Sequence, residues 1–351
     1  MIRLEQKIPS PEFQAGPNMK LYPTALQDEL FDLLDQDIVS NMSINTIFEN
    51  METTNNIIFV RHLESKYNEY KNKVIKTGNY KKFQEATNQE EKLKVAEQLL
   101  WEFFQEVWID YATDISEEGK KQGEELGRNY AKLIAEKPAL FPTRIYVSPY
   151  LRTKKTCHYM LKYVEWLDLD IDILIDPDNM MDMVIGKFQW KEVILKMDDR
   201  IRERDHGKNI APTFLKKTIE WNNLENFGAE KLPYMQKQQL WYYTNPAWWE
   251  SQVEVSQRIK SFLKSIKLKL MLWEIKEEKD KHNQVLVVSH HLAIIAAVQS
   301  VFGWTFNTFF QLDKYWKPNN WSITILSQIP ETQSGQKDRI RVWAYNMMLK
   351  D

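Results

Sequence analysis

The 351-residue chain holds a single cysteine, Cys157. No disulfide can therefore form within it, and the composition fits a reducing compartment such as the cytoplasm. There is no surplus of charge: 47 Lys and Arg stand against 49 Asp and Glu, a formal net charge of -2. Bulk binding to nucleic acid or to a membrane surface asks for a strong basic excess, so neither is an expected partner. No apolar run approaches the length of a membrane span, and MIRLEQKIPSPEFQAGPNMK at the start has no apolar segment of the kind a secretory leader carries. No internal repeat is found. What is present is 43% hydrophobic and 27% charged residue, which specifies a packed core. The length accommodates one large α/β domain with additions, or two domains. Aromatics are plentiful, with 13 Trp, many of them late in the chain. They are able to line a cover over a pocket, although any single Trp more often fills a core.

Residues 1–20 lack periodicity and read as a tail, and residues 24–50 carry apolar residues at helical spacing (Leu26, Leu30, Leu33, Leu34, then Ile44, Ile47, Phe48). Residues 1–53 thus form a partly helical N-terminal extension, and 54–351 the main domain. That domain opens with Ile57, Ile58, Phe59 and Val60, a continuous apolar run of the sort buried on both faces of a sheet. Arg144–Val147, Ile171–Ile175 and Val285–Val288 look alike, and Ser322–Leu326 and Ile340–Tyr345 are two further strands. Helical patterns follow Ser116, Arg152 and His290, and a long one spans about Glu250 to Lys276. The alternation predicts an α/β three-layer sandwich: a mostly parallel central sheet with helices on both faces, plus helical insertions. An insertion is expected at about 77–107 and a cover region, polar and aromatic-rich, at about 186–250.

Three features place a cation or an imidazole just beyond a buried strand. VRH ends the first at Arg61-His62, YVSPYLR brings Arg152 one turn into the next helix, and VVSH ends a later strand at His290. The carboxyl ends of strands in open α/β sheets are where ligands bind. Two arginines and two imidazoles converging there make a site for a doubly charged oxyanion, because the guanidinium fork donates two parallel hydrogen bonds to phosphate.

VRHLES resembles the Arg-His-Gly-Glu-Ser signature of the histidine phosphatase superfamily, the phosphoglycerate-mutase-like enzymes. In the family's order follow DISEEGKKQGEELG, SPYLRTKKT, RERDHG, WYYTNPAWWESQVEVSQRI, VLVVSHH and NNWSITIL. Each is weak by itself; their sequence is specific, and it covers the chain from about Asn55 onward. The resemblance implies a phosphatase acting on a small phosphorylated substrate without cofactor or metal. His62 would be the nucleophile that forms a phosphohistidine. Arg61, Arg152 and His290 would neutralise the phosphoryl oxygens. Glu203 in RERDHG would be the general acid and then the base. Ser65, Asn68, His291 and Glu250 are candidates for the substrate side. Glu250 is also a rival acid, and Asp205 a more distant one. His158, His206 and His282 read as structural or surface residues, and Cys157 as a small core residue.

The chain departs from the family pattern where Leu63 replaces a glycine, where Trp249 stands for the glycine before Glu250, and where His291-Leu292-Ala293 stands for Gly-Asn-Ser of the mutases. The last favours a phosphatase over a mutase. Leu63 is compatible with activity only if its φ stays negative and its side chain points away from the phosphate. It is the feature that would favour the alternative reading, an inactive relative that binds a phosphorylated ligand.

Overall fold

A computed structural model describes residues 3–6, 47–48, 51–52, 54–106, 110–164, 183–188, 191–205, 242–243, 250–276, 284–302, 305–315, 317–329 and 339–350. Among them eight strands form one sheet: β1 (Arg3–Gln6), β2 (Asn56–Arg61), β3 (Arg144–Val147), β4 (Met183–Phe188), β5 (Lys191–Met197), β6 (Gln284–Ser289), β7 (Ile323–Ile329) and β8 (Arg339–Lys350). Their order is β1-β8-β7-β2-β6-β3-β5-β4. The central strands β2, β6, β3 and β5 run parallel to one another. The flanking strands β7, β8, β1 and β4 are attached by antiparallel pairing. The sheet is therefore parallel at its centre, where the apolar runs lie, and antiparallel towards both edges.

The helices are α1 (Lys66–Ile75), α2 (Gly78–Glu85), α3 (Gln89–Glu106), α4 (Glu117–Glu136), α5 (Leu151–Leu161), α6 (Gln252–Lys276), α7 (His291–Phe302) and α8 (Phe306–Tyr315). They divide between the two faces, as the pleat of the strands requires. Ile58 and Val60 of β2, with Ile145, Val147, Leu286 and Val288, pack against Leu126, Tyr130 and Leu133 of α4 and Cys157, Met160 and Leu161 of α5. Their neighbours Ile57, Phe59, Tyr146, Val285 and Val287 point the other way, onto Val255, Ile259, Phe262 and Ile266 of α6 and the apolar α7. The 255, 259, 262, 266 spacing puts those four residues on one stripe of α6. Ser116 caps α4 by accepting from the N–H of Gly119 at 3.0 Å, with Glu117 and Glu118 in the first turn, where the helix dipole favours acid. Helices α1 to α3 have a small core of their own, built on Val74, Phe83, Ala96 and Leu99.

Two segments differ from the sequence reading. Residues 3–6, read as tail, add an edge strand to β8; four residues carry too little pattern to announce a strand, and the pairing is supplied by a partner over 300 residues away. Residues 186–188 and 191–197, read as the start of the cover, belong to the antiparallel pair β4 and β5 at the other edge. Val193, Leu195 and Met197 alternate into the core there while Glu192 faces solvent, so the half-buried edge lacks the continuous apolar run of the central strands. The strand expected at Ile171–Ile175 lies outside the described residues. So do most of the helices expected over 24–50, of which residues 47–48 are described and helical, as are 51–52 just beyond, and most of the cover.

Candidate active site

Because β2, β6, β3 and β5 are parallel neighbours, their carboxyl ends lie along one edge of the sheet. The chain leaves β2 at His62, β6 at His290, β3 at Ser148 on the way to Tyr150 and Arg152, and β5 at Asp198 on the way to Glu203. Every long-range member of the predicted set is thus delivered by an adjacent strand end.

The rings of His62 and His290 lie 5.1 Å apart, centroid to centroid. The His290 ring is 4.9 Å from that of Tyr150, and the Arg152 guanidinium sits 4.7 Å over the same tyrosine ring. Nδ1 of His62 is 2.6 Å from the carbonyl of Leu63. A carbonyl only accepts, so Nδ1 carries the proton and Nε2 is left with its lone pair. Nε2 of His290 is 2.8 Å from Oγ of Ser148, and its Nδ1 has no partner among the described residues. Arg61 donates through Nη1 to the carbonyl of Pro318, while its buried Nε is likewise without a partner among the described residues. Arg152 is held by Asp110, its Nη1 lying 2.8 Å from the carbonyl and 2.7 Å from Oδ1. The result is a buried cluster in which, among the described residues, Nε of Arg61 and Nδ1 of His290 are unengaged beside the bare Nε2 of His62.

The electrostatics follow from burial and crowding of like charge. Desolvation, then Arg152 and Arg61, hold the His62 imidazole well below its usual range, so it is neutral. His290 is depressed for the same reasons, burial first and Arg152 second. Burial also brings Arg61 down to about 10, with Glu203 opposing the shift. The Glu203 carboxyl is pushed up, chiefly by desolvation, against the pull of the Arg204 N–H, Arg152 and Arg61. A carboxyl whose protonated form is favoured by burial beside cations is a candidate proton donor.

Glu250 occupies a different position. It is clamped by Arg258, with Nε to Oε1 at 2.6 Å and Nη2 to Oε2 at 2.9 Å, and by Arg202 at 2.9 Å. The same Arg258 donates to the carbonyls of Arg200, Arg202 and Glu203. Glu250 also accepts from the N–H of Asp205 at 3.1 Å. These bonds fix the backbone that carries Glu203. Ser65 and Asn68 bind each other in the capping box that starts α1. Asn68 Oδ1 is in addition 3.5 Å from Nδ2 of Asn320. His291, the first residue of α7, sits 3.1 Å from Asp313, and burial brings it down to about 3. Asp205 is exposed; His158 lies on α5 against Tyr159; Cys157 is buried in the core. His206, Trp249 and His282 are outside the described residues.

Leu63 meets both conditions set for it. Among described residues other than glycine, positive φ occurs at Trp321 and Asn346 only. Its side chain is fully buried, directed into the core between β2 and the helices α4 and α5. A Cβ added to Gly123 of α4 would come within 2.9 Å of Leu63 Cδ1, so the leucine occupies the groove that the helix glycine leaves open. Sequence reasoning missed Asp110, Ser148, Tyr150 and Asn320. Ser148 and Tyr150 were within the quoted SPYLRT motif, and Asn320 within NNW. Asp110 carried no local signal.

Residues 188–337, a segment that includes β6 and His290, match the family described as the histidine phosphatase superfamily (branch 1). Among solved structures, a mycobacterial glucosyl-3-phosphoglycerate phosphatase is 14% identical and aligns over 83% of this chain and 99% of its own, with a TM-score of 0.47. A phosphoglycerate mutase from Bacillus anthracis str. Sterne is 15% identical over 85% of this chain and 95% of its own, at a TM-score of 0.45. No curated protein matches the sequence. Among the described residues no helix is long and apolar enough to cross a membrane.

Proposed function

We propose that the protein is a phosphohydrolase that cleaves a small phosphomonoester through a phosphohistidine on His62. The observation that carries this reading is the His62 ring itself: Nδ1 tied to the Leu63 carbonyl and a neutral Nε2 5.1 Å, ring to ring, from His290. In the first step Nε2 attacks phosphorus, the P–O bond to the leaving group breaks, and Glu203 gives its proton to the departing oxygen. In the second, water attacks the phosphohistidine, Glu203 takes the water's proton, and the N–P bond breaks to release phosphate. Arg61, Arg152 and His290 compensate the charge on the non-bridging oxygens throughout, which is the largest help a protein offers to phosphoryl transfer. Splitting one displacement into two is the benefit of the covalent route. The departure at His291-Leu292-Ala293 supports hydrolysis over mutase chemistry, and the single buried Cys157 suits action in the cytoplasm.

The test is rapid quench of the protein with a labelled aryl phosphate at mildly acid pH. Acid-labile, base-stable label on His62, absent from His62→Ala, is expected. Steady turnover without such label would defeat the proposal. Tight binding of vanadate with no turnover would assign the protein to the phospho-ligand binders instead.

A further inference from the structure

Tyr150 stands at the turn from β3 into α5, in the position just before the helix begins. A small polar side chain is favoured there, because it accepts from the first free N–H groups of the helix. The side chain of Tyr150 makes no such bond. Its carbonyl is fixed instead, by the N–H of Thr153 at 3.0 Å, the N–H of Lys154 at 3.1 Å and Oγ1 of Thr153 at 2.6 Å. The backbone of Tyr150 is therefore held by the first turn of α5, and its buried ring meets two members of the phosphate cluster.

One is Arg152, whose guanidinium carbon lies 4.7 Å from the ring centroid. The other is His290, whose ring centroid is 4.9 Å away, with the two planes at 68°. A cation over an aromatic face is drawn to the negative lobe of the π system, and two rings set edge to face satisfy the same quadrupole. Arg152 is also bound by Asp110, through Nη1. The aromatic face holds the guanidinium without occupying an N–H, so it leaves the donors beyond Nη1 for a ligand. A carboxylate in its place would take those donors, cancel the cation and repel an anion. The Tyr150 hydroxyl is kept protonated, chiefly by burial and then by Asp110, so the ring brings no charge of its own. That hydroxyl makes no hydrogen bond among the described residues. The contacts of Tyr150 with the cluster are thus those of its ring.

We propose that Tyr150 is a positioning residue: one aromatic ring, in contact with both Arg152 and His290, sets the two against the same phosphoryl group. An arginine left loose would have to be ordered by each incoming anion, at a cost in affinity and in the fit to the transition state. This rests on the reading of Arg152 and His290 as phosphate donors, and it has a binding readout that does not require hydrolysis.

The experiment compares wild type with Tyr150→Phe, Tyr150→trifluorophenylalanine and Tyr150→Leu, in calorimetric binding of inorganic phosphate and orthovanadate and in turnover of phenyl phosphate. Tyr150→Phe keeps the ring and should match wild type. Fluorination keeps the shape and drains the aromatic face, so affinity for both anions should fall severalfold. Tyr150→Leu removes the ring, and affinity and kcat/KM should fall by about tenfold or more, the scale of one cation–π contact in a desolvated site. Calorimetry separates positioning from damage, because misfolded protein lowers the stoichiometry while a misplaced Arg152 lowers the affinity. Should the leucine protein not fold, the fluorinated ring decides alone. Equal affinity in the phenylalanine and fluorinated proteins, or a loss of stoichiometry alone, overturns the proposal. A Tyr150→Phe protein as weak as Tyr150→Leu also overturns it, since the hydroxyl would then carry the role. The expected order of affinities without hydrolysis of the ester keeps the positioning role and overturns the hydrolase. Binding of neither anion by the wild type overturns both.

Discussion

Replacing Leu63 by the glycine of the family signature tests the account of the pocket floor. In an unperturbed active site the glycine would be expected to help, since it stands next to the nucleophile. The structure gives the opposite expectation. Leu63 is fully buried, its N–H donates to Oγ1 of Thr156 at 3.0 Å, and its side chain fills the space over Gly123. Leu63→Gly would remove a core side chain at about 2–5 kcal/mol, the range for buried leucine truncation, depending on how far the site collapses. Releasing the backbone adds about 0.5–1 kcal/mol. A loss of roughly 3–6 kcal/mol is a large share of the about 5–15 kcal/mol that holds a domain together. The carbonyl of residue 63 also orients His62, so a looser backbone should lower kcat rather than raise it. Urea denaturation followed by tryptophan fluorescence measures the first effect, and turnover of an aryl phosphate the second. A loss under 1 kcal/mol, or a tenfold rise in kcat, would refute the claim that Leu63 belongs to the core and leaves the phosphate site free.

Arg258→Met should lower kcat by about a hundredfold with less effect on KM, because it frees the segment carrying Glu203 without touching the phosphate donors; equal changes in both constants would contradict a positioning role. Glu203→Gln should abolish most turnover, by about 10²–10⁴-fold. Its carboxyl is raised in the fold, so the stability linked to its protonation is present below the ordinary carboxylate pKa and lost as pH rises through the folded one. The glutamine protein should accordingly be at least as stable as wild type at pH 8, with the difference narrowing towards pH 4; thermal melts across that range decide it. His291 has the reverse sign: lowered from 6.5 to about 3, it favours the fold above pH 6.5 and costs stability progressively as pH falls towards 3. His62 and His290 act in the same direction. Urea midpoints should decline between pH 7 and 5, and His291→Asn should flatten that decline; an unchanged slope would contradict it. Asp110→Asn removes the ion pair that holds Arg152 at 2.7 Å, so phosphate affinity should change while His62 labelling persists, measurable by phosphate inhibition.

The sequence by itself determined the sheet centre and its chemistry. The apolar runs at β2, β3 and β6 read as strands buried on both faces; β2 and β6 lead directly into Arg61-His62 and His290, and β3 leads through Ser148 to Arg152. The order of those motifs was enough to nominate His62, Arg61, Arg152, His290 and Glu203 before any distance was known. The tertiary structure decided the rest, because it depends on partners remote in the chain. The edge strands β1 and β4 exist through pairing rather than pattern. Asp110 meets Arg152 only after folding, and Glu250 turns out to be engaged by Arg202 and Arg258. Leu63 could be judged only once the groove at Gly123 was seen to receive it.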